Sequence, residues 1–183
     1  PFVAVRSSAT TEDMVDASFA GQQDSFLGVK GHVNLIDNVK KCLSSLFTAR
    51  AIYYRQKKGF SHDKACVAVV VQKMVNSQKS GVVFSKNPLK DDDNAVIESV
   101  WGLGEGLVSG KIVPDYYAVN SNEEVSDMHV SDKKIALVRT SSGRIDSVNL
   151  TPERSSQQVL TGYEIKRLAQ YASQLEKHYG SPQ

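Results

Sequence analysis

Residues 65–75 read Ala-Cys-Val-Ala-Val-Val-Val-Gln-Lys-Met-Val. The run is rich in β-branched side chains and almost continuously apolar, which predicts a strand buried on both faces. Its apolar part, residues 65–71, is the longest in the chain and is strand-sized. A membrane-spanning helix needs about 18 or more such residues, so none is predicted. Downstream, residues 76–79 read as a turn and 81–85 as a second strand that Asn87-Pro88 ends. Further strands are expected at 95–100 and 115–119, then a small antiparallel meander at 128–130, 134–139 and 145–149. Upstream, Phe2 to Arg6 reads as a short strand, 7–23 as a long polar loop, and 25–29 as a strand or turn. A helix capped by Asn34 is expected to carry Leu35, Val39, Leu43, Leu46 or Phe47, and Ala51 on one face and to stop at Gly59. The last helix is the best signalled. Thr161-Gly162-Tyr163-Glu164 has the capping-box pattern, Ile165, Leu168, Ala169, Ala172, Leu175 and Tyr179 form its stripe, and Gly180 and Pro182 end it. Hairpins flanked by long helices predict an α+β fold rather than alternating βαβ units.

The 183 residues are 40% hydrophobic and 23% charged, with a formal net charge of +2, which argues against disorder and gives no general case for nucleic acid. Two cysteines cannot make a disulfide scaffold. Cys42 and Cys66 are expected to be buried, reduced thiols, in keeping with a cytoplasmic location. The chain opens on the apolar run Pro1-Phe2-Val3-Ala4-Val5 and stops just after a helix, so a segment of a longer protein is expected.

Four segments could carry chemistry. Arg6 at a strand end, followed by hydroxyls and the glycine-containing loop 17–23, suits an anion, because a guanidinium fork matches phosphate oxygens and glycine lets backbone N–H groups approach. An ordinary surface arginine beside a loop is the alternative. Residues 71–75 could join two lobes and hydrogen-bond a flat heterocycle through the backbone while Met74 and Val75 hold the ring; a plain strand end is the alternative. Glu98 with the turn Gly102-Leu103-Gly104-Glu105-Gly106 could bind ribose hydroxyls or a metal, or be a tight turn beside a solvated carboxylate. The stretch from Asn34 to Lys64 has seven Lys or Arg against two Asp, which reads as a solvated basic face or a docking surface for an acidic partner. The four His have no metal spacing, and no Ser–His–Asp arrangement is present.

Read as a string, these segments resemble a family. Ala4-Val5-Arg6-Ser7-Ser8-Ala9-Thr10-Thr11-Glu12-Asp13 followed by Ala17-Ser18-Phe19-Ala20-Gly21-Gln22-Gln23 is similar to the nucleotide-binding domain of phosphoenolpyruvate synthases. Arg50-Ala51-Ile52-Tyr53-Tyr54-Arg55, Val71-Gln72-Lys73-Met74-Val75, Ser80-Gly81-Val82-Val83-Phe84-Ser85, Trp101-Gly102-Leu103-Gly104-Glu105, Val113-Pro114-Asp115 and Glu176-Lys177-His178-Tyr179-Gly180 follow in the family's order and cover nearly the whole chain. Pyruvate phosphate dikinase and rifampicin phosphotransferase resemble it more distantly.

The resemblance implies an ATP-grasp fold, two α+β lobes with ATP between them, incomplete at both ends. Residues 1–74 would belong to the first lobe and 75–183 to the second. It implies that Arg6 contacts the ATP phosphates, that the loop with Ser18, Ala20, Gly21 and Gln22 folds over them, that Gln72, Lys73, Met74 and Val75 form the adenine hinge, and that Glu98 lies near the ribose and phosphates. The implied whole enzyme, a transferase of gluconeogenesis, turns ATP, pyruvate and water into phosphoenolpyruvate, AMP and phosphate by way of a histidine on a swivelling domain. ATP and Mg²⁺ are the implied ligands, and the phosphohistidine domain and pyruvate the implied partners. The family's phosphate-binding Lys, its Asp-Ile-Glu-Trp block with metal-ligating carboxylates, and its Thr-x-Gly-Gly-x-x-x-His motif are absent from these 183 residues. The isolated chain is therefore expected to bind ATP weakly and to hold no metal ligands. An antibiotic phosphotransferase or another dikinase would keep the domain and change the acceptor. A stand-alone binding module would use the basic helix.

Overall fold

A computed structural model of the chain describes residues 1–9, 13–14, 17–18, 24–61, 65–90 and 92–183; the side chains of 9, 13, 14, 17 and 18 are not described. The chain divides into two compact units, residues 1–75 with 140–145, and residues 76–139 with 146–183.

In the first unit, β1 (Val3–Ala9) lies between β4 (Ser25–Val29) and β5 (Val67–Lys73), antiparallel to both, while β2 (Asp13–Met14) and β3 (Ala17–Ser18) form a separate two-residue pair. β1 is longer than expected: Ser7, Ser8 and Ala9 continue the ladder opposite Val69, Ala68 and Val67. One face of the sheet buries Val5, and Val29 and Cys42 complete that core with Val3, Phe26, Leu35, Val39 and Val69 packed around it.

The helical segment departs from its prediction in two ways. It is broken into α1 (His32–Ser44), a 3₁₀ turn (Ser45–Phe47) and α2 (Ala49–Lys57). Thr48 restarts the helix because its hydroxyl accepts from Ala51 N–H at 3.3 Å. The α1 cap is Gly31, not Asn34, whose amide instead donates to Lys30 O at 3.1 Å. Not all of the basic stretch is surface: Arg55 is 1% exposed and donates to Leu46 O within the bend. Gly59, at φ +73°, follows the end of α2 as expected.

β5 is not buried on both faces. It is the edge of its sheet, and Val70 and Val71 are 45% and 46% exposed. A run of β-branched residues fits a half-covered edge as readily as a central strand, and only the pairing partners tell them apart. Cys42 is buried, whereas Cys66, expected to be buried, is exposed. Burial and the nearby Asp24 carboxylate push the Cys42 thiol above its ordinary pKa.

In the second unit, β6 (Lys79–Phe84), β7 (Ala95–Trp101), β8 (Asp115–Val119) and β9 (Val125–His129) form an antiparallel sheet in chain order, with α3 (Glu105–Val108) between β7 and β8. The expected three-stranded meander is therefore split: β9 extends this sheet, and β10 (Ile135–Arg139) and β11 (Ile145–Asn149) pair with each other. A short helix, α4 (Pro152–Ser156), precedes α5 (Gly162–Tyr179). Ile97, Trp101, Tyr117 and Val119 of the sheet pack with Val159, Leu160, Ile165 and Ala169 in one core. Leu175 and Tyr179, predicted to continue the α5 stripe, are 49% and 63% exposed, so the buried stripe runs only from Ile165 to Ala172.

The capping box of α5 is present. Glu164 N–H donates to Thr161 Oγ1 at 3.3 Å and Thr161 N–H to Glu164 Oε2 at 2.7 Å. Lys79 Nζ on β6 also donates to this carboxylate at 2.8 Å, and the lysine and the capped N–H together hold its pKa down to about 2. Asp115 is fully buried at the start of β8. Its carboxylate accepts from the Lys133 ammonium, from Ser131 N–H at 3.0 Å, from Val159 N–H at 2.8 Å and from the Tyr117 hydroxyl at 3.1 Å. Burial pushes the Tyr117 phenol up to about 12.

Removing one partner of a buried ion pair strands the other, at a cost of about 3–5 kcal/mol. Asp115→Ala should therefore lower the urea unfolding free energy by about that amount, and Lys133→Met added to it should recover part of the loss. Glu164 contributes stability that is fully present above its ordinary pKa of 4.5 and is lost as pH falls from there toward about 2. Melting temperatures across that window should fall less steeply for Glu164→Gln than for the native chain.

Candidate functional site

Arg6 and Gln72 were singled out from segments 66 residues apart, and the β1–β5 register brings them together. Arg6 sits opposite Val70 and Ala4 opposite Gln72, so Arg6 and Gln72 are diagonal neighbours on one face of the sheet. The Arg6 Nη1 donates to Gln72 Oε1 at 3.2 Å, and both side chains are exposed. Val3, Val5 and Val69 alternate onto the other face, where α1 packs, so the Arg6 face is the one left open in this unit. It presents a guanidinium, an amide and the exposed Val70 side by side, a surface with donors for an anion next to an apolar patch for a flat ring.

The remaining expected residues divide. Lys73 ends β5 opposite Val3 and alternates to the face away from Gln72. Met74 is already engaged: its N–H donates to Phe2 O at 3.0 Å and its sulfur accepts from Gly28 N–H at 2.9 Å. Its backbone donor is thus spent on the sheet. Val75, 77% exposed, closes the unit. Ser18 pairs with Asp13 in the short β2–β3 ladder. Ala20, Gly21 and Gln22 lie outside the described residues. Glu98 belongs to the second unit, half-buried on β7 between Val82 and Tyr116.

The glycine-rich turn after β7 has a structural task. Gly102 adopts φ +82°, and a Cβ there would sit 2.3 Å from Leu137 O. Its own carbonyl accepts from the Ser77 and Ser80 hydroxyls at 3.2 and 2.7 Å, and its N–H donates to Gln78 O at 2.8 Å. Nothing in the sequence distinguished this close packing from a ligand loop. Among the described residues, no three or more His, Cys, Asp or Glu side chains gather as they would in an all-protein metal site. Among them, too, no helix is long and apolar enough to cross a membrane.

The profile described as pyruvate phosphate dikinase, AMP/ATP-binding domain, matches residues 1–183. The chain belongs to this family. A probable phosphoenolpyruvate synthase of Methanocaldococcus jannaschii is 50% identical over 98% of the chain and 15% of its own length. The phosphoenolpyruvate synthase of Pyrococcus furiosus is 45% identical over all of the chain and 23% of its own length. A rifampicin phosphotransferase of Bacillus cereus is 41% identical over 98% of the chain and 21% of its own length. The chain thus spans less than a quarter of each of these curated relatives. For a member of an AMP/ATP-binding domain family, an open sheet face carrying a guanidinium is a natural place to look for nucleotide contacts.

Gly102→Ala should cost at least about 2 kcal/mol, because it combines a disfavoured backbone conformation with a clash against a backbone oxygen. Thermal unfolding of the variant checks this; a cost below about 0.5 kcal/mol would mean that the close approach to Leu137 is not a packing constraint.

Proposed function

We propose that this chain is the ATP-grasp nucleotide-binding part of a phosphoenolpyruvate synthase. The observation that carries the reading is the contact between Arg6 and Gln72 on the open face of the first sheet, in a chain of the AMP/ATP-binding domain family. In this reading the ATP phosphates lie against Arg6. Its planar fork donates to their oxygens and offsets their charge, which is most of what a protein contributes to phosphoryl transfer. Gln72, Lys73, Met74 and Val75 approach the adenine. Because Met74 N–H is taken by Phe2 O, base recognition at this strand end falls to the neighbouring backbone groups and to the apolar surface of Val70 and Val75. Ser18, Ala20, Gly21, Gln22 and Glu98 are the further residues assigned nucleotide contacts in this reading.

In the whole enzyme so proposed, the β-phosphoryl group of ATP passes to a histidine on a separate domain and then to pyruvate, with release of AMP and phosphate, in the cytoplasm. Magnesium supplies charge neutralisation when bound. The part we assign to the residues of this chain is to hold and orient the nucleotide.

A second reading keeps the nucleotide chemistry and changes the acceptor to rifampicin. The 41% identity to a rifampicin phosphotransferase supports it. Assays of AMP formation by the full-length protein, with pyruvate or rifampicin as acceptor, separate the two. In the active assay Arg6→Ala should lower kcat/KM by on the order of 100-fold, with partial recovery in Arg6→Lys. Unchanged AMP formation in Arg6→Ala would remove the phosphate role given to Arg6.

A further inference from the structure

The Gln72 side chain accepts from the Arg6 guanidinium at 3.2 Å. We infer that Gln72 is a positioning residue for Arg6: its amide oxygen anchors the guanidinium on the open sheet face and leaves that cation's charge uncompensated for an incoming polyphosphate. The inference rests on the nucleotide reading above and says how its phosphate contact is set up.

Three observations carry it. Arg6 Nη1 reaches Gln72 Oε1 at 3.2 Å across a diagonal that the β1–β5 register fixes. Both side chains are exposed, so packing does not restrain the arginine. An exposed arginine otherwise loses substantial rotamer freedom when it clamps a ligand, and an anchoring bond made beforehand lowers that cost. The third is the chemistry of the anchor. A carboxylate at this place would hold the guanidinium more firmly, but it would also neutralise it and repel phosphate. An amide oxygen accepts the same bond with no net charge. One Nη hydrogen is committed to Gln72, and among the described residues no other acceptor takes the remaining donors of the fork, which suit ligand oxygens.

The test measures ATP and adenosine affinities of the full-length protein by calorimetry, for the native sequence, Gln72→Met, Gln72→Glu, Arg6→Ala and the double variant Arg6→Ala with Gln72→Met. Gln72→Met should weaken ATP roughly three- to tenfold, the worth of one hydrogen bond, and weaken adenosine distinctly less, because adenosine lacks the phosphates that Arg6 meets. Gln72→Glu should also weaken ATP although it retains an acceptor, because the added charge opposes phosphate. In the Arg6→Ala background Gln72→Met should have no further effect on ATP. If adenosine weakens as much as ATP, or if the two single losses simply add, Gln72 serves the base or the fold directly and the positioning role is overturned while the nucleotide site stands. If the native protein does not bind ATP, or if Arg6→Ala binds it unchanged, the nucleotide reading itself falls, and this inference falls with it.

Discussion

Asp115 sits at the start of β8 with its carboxylate wholly out of solvent, and four donors from different parts of the second unit meet on it. Two are backbone N–H groups, one in the segment after β9 and one just before α5. A third is the Tyr117 hydroxyl from its own strand, and the fourth is the Lys133 ammonium, which also donates to Ser131 O at 2.8 Å. A buried charge is tolerable only when such a set is complete, since desolvation of an ion costs several kcal/mol before any partner is counted. The apolar core of Ile97, Trp101, Tyr117, Val159, Leu160 and Ile165 could form with several strand and helix placements. The carboxylate is more demanding. It fixes where the chain must lie as it leaves β9 and as it enters α5, because each N–H has to arrive at hydrogen-bonding distance. Glu164 makes a similar link at the surface, joining the cap of α5 to β6 through Lys79.

The first unit has no comparable buried charge cluster among its described residues, and its organisation follows from a simpler division. One face of the β4–β1–β5 sheet is filled by α1 through Val3, Val5, Val69, Leu35 and Val39, and the opposite face stays open around Arg6, Val70 and Gln72. Alternation along two strands thus separates the residues that hold the unit together from those available to a ligand. The closely packed glycines are likewise structural, Gly28 and Gly143 in this unit and Gly102 in the second. Gly102 carries its backbone against Leu137 O, and Gly28 and Gly143 approach so closely that neither has room for a Cβ. The glycine-rich turn after β7 is accounted for by packing within the fold.

Local signals mostly survived from sequence to structure, the Asn34 cap excepted, since Gly31 caps α1 and the Asn34 amide donates back to Lys30 O. The capping box at Thr161 and Glu164 involves four consecutive residues, and nothing distant is needed to form it. The same holds for Gly59 and Gly180 at helix ends. The errors arise where a distant partner decides. Residues 65–75 look like a central strand until the sheet order makes β5 an edge. Residues 34–57 look like one helix until Arg55 folds back on Leu46 O. Asp115 stands at the start of the strand expected at 115–119 and carries no sign in the sequence that its side chain will accept from Ser131, Lys133 and Val159, which are 16 to 44 residues away. At the candidate site Arg6 and Gln72 were each conspicuous for residue type and place, but their contact depends on a strand register that one sequence does not reveal.

The edge position of β5 bears on how the chain behaves in company. Val67–Lys73 has one strand neighbour among the described residues, and six of its seven side chains carry no charge. An extended, β-branched edge of this kind is a template for the edge of another molecule, and Lys73 at its end is the one built-in charge that opposes such pairing. β5 is therefore one of the outer strands, with β4, β6 and β9, at which partly folded or concentrated chains could pair edge to edge.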